Sequence, residues 1–299
     1  MLQQEVKIKS FEREDKEKLK EFAKVINQQD ELELSISERV FEYILAQPHL
    51  RENTMLAYDN DELIAFAACI KNSKESDEAN FELVVHPRYR HQGLGKMLYD
   101  IILDKSKICN VKKVTAFAKE HMEHSVKFLK DRDFRIHKYM WKMDYNLQDT
   151  DCKVAPTDDY SFKQLTIEDI NNYVNIMNAG FKKEGDVLYN ENSFQMLLSN
   201  PDEYVFFIKH KDDIVATAAI GFQKDIDRGY IHNVTVYNDH RNKGFGEMAL
   251  NHCINKIKEV QLSKAALNVD GENKNALGLY KKIGFEETNT DIIFKLEII

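Results

Sequence analysis

Two hexapeptides carry the chemistry that is most directly readable in this 299-residue chain. Residues 90–95 read Arg-His-Gln-Gly-Leu-Gly, and residues 241–246 read Arg-Asn-Lys-Gly-Phe-Gly. Each follows a β-rich stretch (81–86; 230–237) and leads into a segment of helical period (95–107; 246–257). The first N–H groups of such a helix have no intrahelical acceptor, and the helix dipole makes that end positive. A glycine also has no Cβ to hold an anion away. The guest that suits this arrangement is a phosphate or pyrophosphate. A lone Gly-x-Gly more often marks a tight turn, but two occurrences in the same context argue for binding. Neither extends to Gly-x-Gly-x-x-Gly or to Gly-x-x-x-x-Gly-Lys-Ser/Thr, so NAD and ATP fingerprints are absent.

The elements that must hold these turns recur at a fixed offset of 151. It pairs Ala65 with Ala216, Val85 with Val236, Arg90 with Arg241, Gly93 with Gly244, Gly95 with Gly246 and Phe134 with Phe285. From 64 to 134 no gap is needed, and 13 of 71 positions are identical, where chance at typical composition gives roughly 4. The chain therefore reads as two tandem copies, 1–146 and 159–299, joined by a polar linker at 147–158 that holds Pro156. Each copy begins with a short strand and a helix (15–27; 167–181), followed by a hairpin (54–70; 204–222). The glycine-turn unit comes next, then another strand (113–118; 264–269), a helix (124–130; 275–282) and a last strand (135–145; 287–296). This pattern predicts α/β architecture: in each copy a three-layer unit with a mixed, mainly antiparallel central sheet flanked by helices.

The strings around both turns resemble the acyl-coenzyme A signature of GCN5-related N-acetyltransferases (GNAT), whose core is [QR]-x-x-G-x-[GA]. Residues 269–285 are similar to the family's second signature, with Asn273, Ala276, Tyr280, Gly284 and Phe285 at the expected spacing. The resemblance covers nearly the whole chain twice. It implies a sheet splayed between its fourth and fifth strands, with acetyl-CoA in the cleft as acyl donor. The pyrophosphate would lie on the turns Arg241, Asn242, Lys243, Gly244, Phe245, Gly246 and Glu247, and Arg90, His91, Gln92, Gly93, Leu94, Gly95 and Lys96. Val85, Val234, Val236 and Asn273 would also border the cofactor. A backbone N–H near Val236 or Val85 would meet the developing oxyanion. Tyr280 would protonate the departing thiolate, and Glu82 stands where family members often place a base. His232, on the matching strand of the second copy beside Asn233, is the candidate base there. Tandem members of the family, such as the mycothiol synthase type, often keep one productive site.

The copies depart from the pattern in opposite ways. Copy one has Leu129 for Tyr280, Met122 for Asn273 and Asp133 for Gly284, while copy two lacks Glu82. The expectation is turnover in the C-terminal copy, with the N-terminal one binding acetyl-CoA structurally or as a slower site. Glu184 and Asp186 are candidates for holding a cationic substrate. His121 and His124 share a helical face, but no carboxylate or cysteine set completes a metal site, and no metal is assigned. Trp141, Tyr139 and Tyr145 are expected to pack the sheet or the region between the copies rather than bind a ligand.

Composition bounds the rest. The net charge is −8, neither half is basic, and nucleic acid is excluded as a general partner. Four scattered cysteines (69, 109, 152, 253) read as reduced thiols. The longest apolar run, 63–70, is about a third of a membrane span, so a cytoplasmic chain without membrane contact is expected, as monomer or homodimer. The leading reading is an acetyl-CoA-dependent N-acetyltransferase acting on a primary amine of a small molecule. The alternatives are a non-catalytic acyl-CoA sensor or scaffold, and an acetyltransferase for a protein amine.

Overall fold

The computed structural model describes residues 6–30, 32, 34, 44–45, 48–71, 76–147, 159–181 and 189–298. Glu184 and Asp186 lie outside the described residues. By its contacts the chain forms two compact units: Met1–Met140 with Thr290–Ile299, and Trp141–Asn289.

The first unit contains strands β1 (Lys7–Ser10), β2 (Thr54–Asp59), β3 (Glu62–Lys71), β4 (Glu78–Val85) and β5 (Lys113–Lys119), with helices α1 (Lys16–Asp30), α2 (Pro48–Glu52), α3 (Leu94–Ile108) and α4 (Glu123–Lys130). Strand β6 (Arg135–Asn146) leaves it. Residues 54–59 and 62–71 form an antiparallel hairpin around Asn60, whose φ of 52° suits a tight turn. Its inward residues are almost continuously buried, because both faces are covered. On one face α1 packs Phe22 and Ile26 against Leu56 and Phe66. On the other, α3 and α4 bring Leu98, Ile102 and Leu129 against Ile64, Phe81 and Ala116. Side chains of this size each contribute about 1.5–3 kcal/mol when fully buried.

The second unit repeats this plan with β7 (Tyr160–Gln164), α5 (Ile170–Phe181), α6 (Glu191–Leu198), β8 (Glu203–His210), β9 (Asp213–Gln223), β10 (Arg228–Val236), α7 (Phe245–Glu259), β11 (Lys264–Asp270) and α8 (Lys274–Ile283). The last strand, β12 (Glu286–Glu297), enters the first unit at Thr290. There it pairs antiparallel with β5 in the register Asp291 to Lys119 and Phe294 to Ala116. The sheet of the second unit is closed by residues 141–146 beside β11. Copies delimited in sequence at 146 and 159 thus exchange their last strands when the chain folds. Trp141 packs on the core of the second unit with the Lys281 Nζ 5.7 Å from its ring, and Tyr145 meets Phe285 at 5.4 Å. Tyr139 is largely exposed.

One irregularity matters for the site. The parallel pairing of β4 with β5 covers only Glu78 to Phe81 against Lys113 to Ala116, and that of β10 with β11 only Arg228 to Tyr230 against Lys264 to Ala266. Beyond Phe81 and Tyr230 the strands part, so their facing backbone groups line an opening in each sheet.

Candidate active site

Both openings end at a glycine turn of one geometry. Gly93 and Gly244 are the N-caps of α3 and α7, with φ of 89° and 88°, and neither helix has a side-chain cap. His91 and Asn242 also take positive φ, 59° and 61°, so the turns are concave arrays of N–H groups. The first intrahelical bonds are Met97 N–H to Gly93 O and Met248 N–H to Gly244 O, both 3.0 Å. The amides of 94–96 and 245–247 therefore have no acceptor within the helix. A Cβ at Gly93 or Gly244 would meet nothing within 4 Å, so the approach is open. Leu94 and Phe245 are buried, and their side chains anchor the helices in the cores. Lys96 pairs with Asp100 and Glu247 with Lys282, each at 2.6 Å, and Gln92 donates to Arg88 O at 3.0 Å. The turns thus offer backbone more than side chain.

The two arginines differ. Arg90 Nε donates to Val85 O at 3.0 Å, and its other nitrogens form a two-bonded pair with Asp30 at the end of α1. Arg241 Nε donates to Val236 O at 3.2 Å. Among the described residues no carboxylate pairs with Arg241, and its guanidinium is exposed next to Asn242 and Lys243, which are exposed too.

In the first unit the opening is a cavity of about 600 Å³ that runs from Gly93, Gly95 and Lys96 past Val85 and Leu83 to Glu82 and Phe66. Glu82 is reachable by solvent through it, yet the walls crowd the carboxyl, and that desolvation raises its pKa above the ordinary carboxylate value. Leu129 lines the cavity, and Lys119 and Asp291, 3.2 Å apart, stand at its edge. The αL turn after α4 survives although Asp133, at φ 63°, replaces glycine there.

In the second unit β10 carries a bulge between His232 and Thr235, with Asn233 at φ 54°. An extra residue breaks the strand alternation, so the consecutive side chains His232 and Asn233 both face α5. Asn233 Nδ2 donates to the Tyr173 hydroxyl at 2.8 Å, and the Tyr189 hydroxyl donates to Asn233 Oδ1 at 3.3 Å. His232 Nε2 lies 2.9 Å from Glu203 Oε2, and its ring stacks on Tyr230 at 5.9 Å. Tyr280 of α8 is 9% exposed, and burial pushes its phenol up to about 12. Tyr230 adds an electrostatic contribution in the same direction. Val234 and Val236 pack on the α7–α8 side, and Asn273 caps α8 by accepting from Ala276 N–H at 3.1 Å.

Comparison with known proteins agrees with this geometry. The model of the acetyltransferase (GNAT) family matches residues 17–134 and again 170–285. The chain belongs to that family. It is 23% identical over 219 residues to an uncharacterized N-acetyltransferase of Methanocaldococcus jannaschii, covering 69% of this chain and 92% of that one. A tandem GNAT protein from the clavulanic acid biosynthesis pathway, solved without AcCoA, has the same fold, with a TM-score of 0.79 at 12% identity over 98% of each chain. A GCN5-related N-acetyltransferase from Sphaerobacter thermophilus superposes with a TM-score of 0.77 at 17% identity, over 98% of this chain and 95% of that one. The protein is an N-acetyltransferase of two GNAT units, from a family that takes its acyl group from acetyl-CoA and delivers it to amines.

Within the GNAT units, the structure gathers Glu82 with the first turn in one cavity and His232 with Tyr230 and Glu203, while Tyr280 lies in the α7–α8 core. Sequence reading did not find Glu203, Tyr173, Tyr189 or Lys119. Glu203 lies 29 residues before its partner, and nothing in local pattern or spacing marks it. Among the described residues no helix is long and apolar enough to cross a membrane, and Cys69, Cys109 and Cys253 are free thiols.

Proposed function

We propose that this protein transfers the acetyl group of acetyl-CoA to a primary amine of a small molecule, and that turnover takes place in the C-terminal unit. The observation that carries the reading is Tyr280, a buried phenol on α8 at the position where the first unit has Leu129. With its pKa pushed up to about 12, the phenol keeps its proton at neutral pH and can release it to a departing thiolate as that anion forms. The unpaired amides at 245–247, with Arg241 and Lys243 beside them, suit a pyrophosphate. The open Cβ side of Gly244 leaves room for it. The parted β10 strand offers N–H groups near Val234 and Val236 to a thioester carbonyl oxygen as it gains charge. His232 is the base that takes the proton of the incoming ammonium. Holding the amine next to the thioester supplies much of the remaining acceleration.

The first unit presents the same turn but has Leu129 in place of the phenol, and it binds acetyl-CoA as a structural or slower site. The small-molecule reading is supported by Tyr173 and Tyr189, whose hydroxyls close over Asn233 on the α5 face. Release of free coenzyme A thiol across a panel of amines tests the proposal. Turnover that falls at least about tenfold in Tyr280→Phe, with coenzyme A affinity unchanged, supports it. Tight binding without turnover on any amine would leave a sensor instead.

A further inference from the structure

We infer that Glu203 is a positioning residue of the acetyl-transfer site, reaching across Gly221 to hold the His232 imidazole in the tautomer and orientation of a base. The inference rests on the reading that the C-terminal unit performs the reaction. Three adjacent strands build the arrangement. Glu203 opens β8 opposite Gly221 of β9, Gly221 is in turn opposite Tyr230 of β10, and His232 lies two residues further along β10. The carboxylate crosses the middle strand diagonally over the bare Gly221, where a Cβ would come 3.0 Å from Glu203 Oε1 and press the carboxylate aside. The second oxygen is fixed as well, since Asn200 Nδ2 donates to Oε1 at 3.5 Å while Oε2 faces His232 at 2.9 Å. Both side chains are largely buried, 14% exposed for Glu203 and 23% for His232.

The first unit shows that the fold does not require the pair. By sheet register it has Glu82 in place of His232, since Glu82 is opposite Ala68 as His232 is opposite Ala219, and Ile70 in place of Gly221. The copy that keeps the phenol is the copy that keeps a histidine held by a carboxylate. Accepting the Nε2 proton leaves Nδ1 as the basic atom of the neutral ring, and the carboxylate stabilises the imidazolium that forms once Nδ1 takes a proton. The balance is complete. Nδ1 takes one proton from R–NH3+, the freed nitrogen bonds to the acetyl carbon, the C–S bond breaks, and the thiolate takes the Tyr280 proton. The second amine proton, acidic while the new C–N bond still bears positive charge on nitrogen, restores the phenol, and Nδ1 releases its proton to solvent, so that R–NH3+ and acetyl-CoA give the amide, the thiol and one free proton. The groups facing His232 are Glu203 from β8, Tyr230 on its own strand, and, through Asn233, Tyr173 and Tyr189; Ala219 and Gly221 of β9 are uncharged.

The test is the pH dependence of kcat/KM of the full chain with the best amine of the panel, joined to 15N NMR of its histidines. Glu203→Gln is expected to lower kcat by about tenfold or more and move the acid limb of the profile to lower pH. Coenzyme A affinity stays unchanged, and the His232 ring nitrogens shift from a fixed Nε2–H form toward a tautomer mixture. Gly221→Ala keeps the charge but displaces it, and is expected to lower kcat by a smaller factor with the limb in place. It also serves if the Gln variant does not fold. A Glu203→Gln enzyme with the wild-type profile and a fixed tautomer overturns the positioning role while leaving the site intact. If Tyr280→Phe and His232→Asn both turn over like wild type, the C-terminal site itself is wrong, and the role of Glu203 goes with it.

Discussion

The two GNAT units keep the same backbone at the glycine turn and differ, apart from a bulge found in β10 and absent from β4, in side chains. Gly93 and Gly244 have φ of 89° and 88°, both helices start without a side-chain cap, and in each unit the parallel strands part after three or four pairs. Even the turn after the penultimate helix keeps its left-handed form, at φ 112° on Gly284 and 63° on Asp133. Around that common frame the first unit has Leu129, Glu82 and an Arg90 committed to Asp30. The second has Tyr280, His232 with Glu203, and an exposed Arg241. The proposed donor cradle is made of main chain, and point replacement does not easily erase it. The groups proposed to move protons are single side chains, each of which one substitution can remove.

The comparison is broken most severely at the turns. Gly246→Glu places a carboxylate among the unpaired amides and presses its Cβ within 3.0 Å of Leu279. Coenzyme A affinity of the C-terminal unit is expected to fall at least about 100-fold and turnover to vanish, while Gly95→Glu leaves turnover in place; calorimetric stoichiometry and thiol release report both. Next comes Tyr280→Phe, with kcat down at least about tenfold and calorimetric affinity unaltered, whereas removing the Leu129 side chain in the other unit leaves kcat as it was. A smaller effect is expected for Asn233→Ala, which strips partners from the Tyr173 and Tyr189 hydroxyls and should cost about 1–3 kcal/mol in urea unfolding. An unchanged midpoint would mean those contacts hold nothing.

The smallest expected effect has the opposite sign. Burial raises the Glu82 pKa, so the folded chain favours its protonated form and bears the charged form at a cost. That cost is absent at pH 4 and present once the pH has risen through the raised pKa. Glu82→Gln is therefore expected to raise Tm at pH 8 but not at pH 4, with C-terminal turnover unaffected. Equal shifts at both pH values would contradict the crowding inferred for that carboxyl.

The repeat, the α/β class and the two glycine turns before helices were legible in the sequence because glycine spacing and hydrophobic period are local signals. The fate of the last strands was not. Residues 135–146 and 286–297 are both strands that follow a helix and a tight turn, and nothing in either segment names the edge it joins. Glu203 was invisible for a related reason. Its meaning comes from Gly221 and His232 on neighbouring strands, a relation set by register. The bulge at Asn233 likewise places two consecutive side chains on one face, where period-two reading assigns them to opposite faces.

The exchange of terminal strands has an evolutionary reading. A gene truncated anywhere in 147–158 would yield two fragments, each short of the strand that closes its sheet and each with a raw edge prone to aggregation. Neither duplicate completes its sheet without the last strand of its sibling, so the two are inherited together.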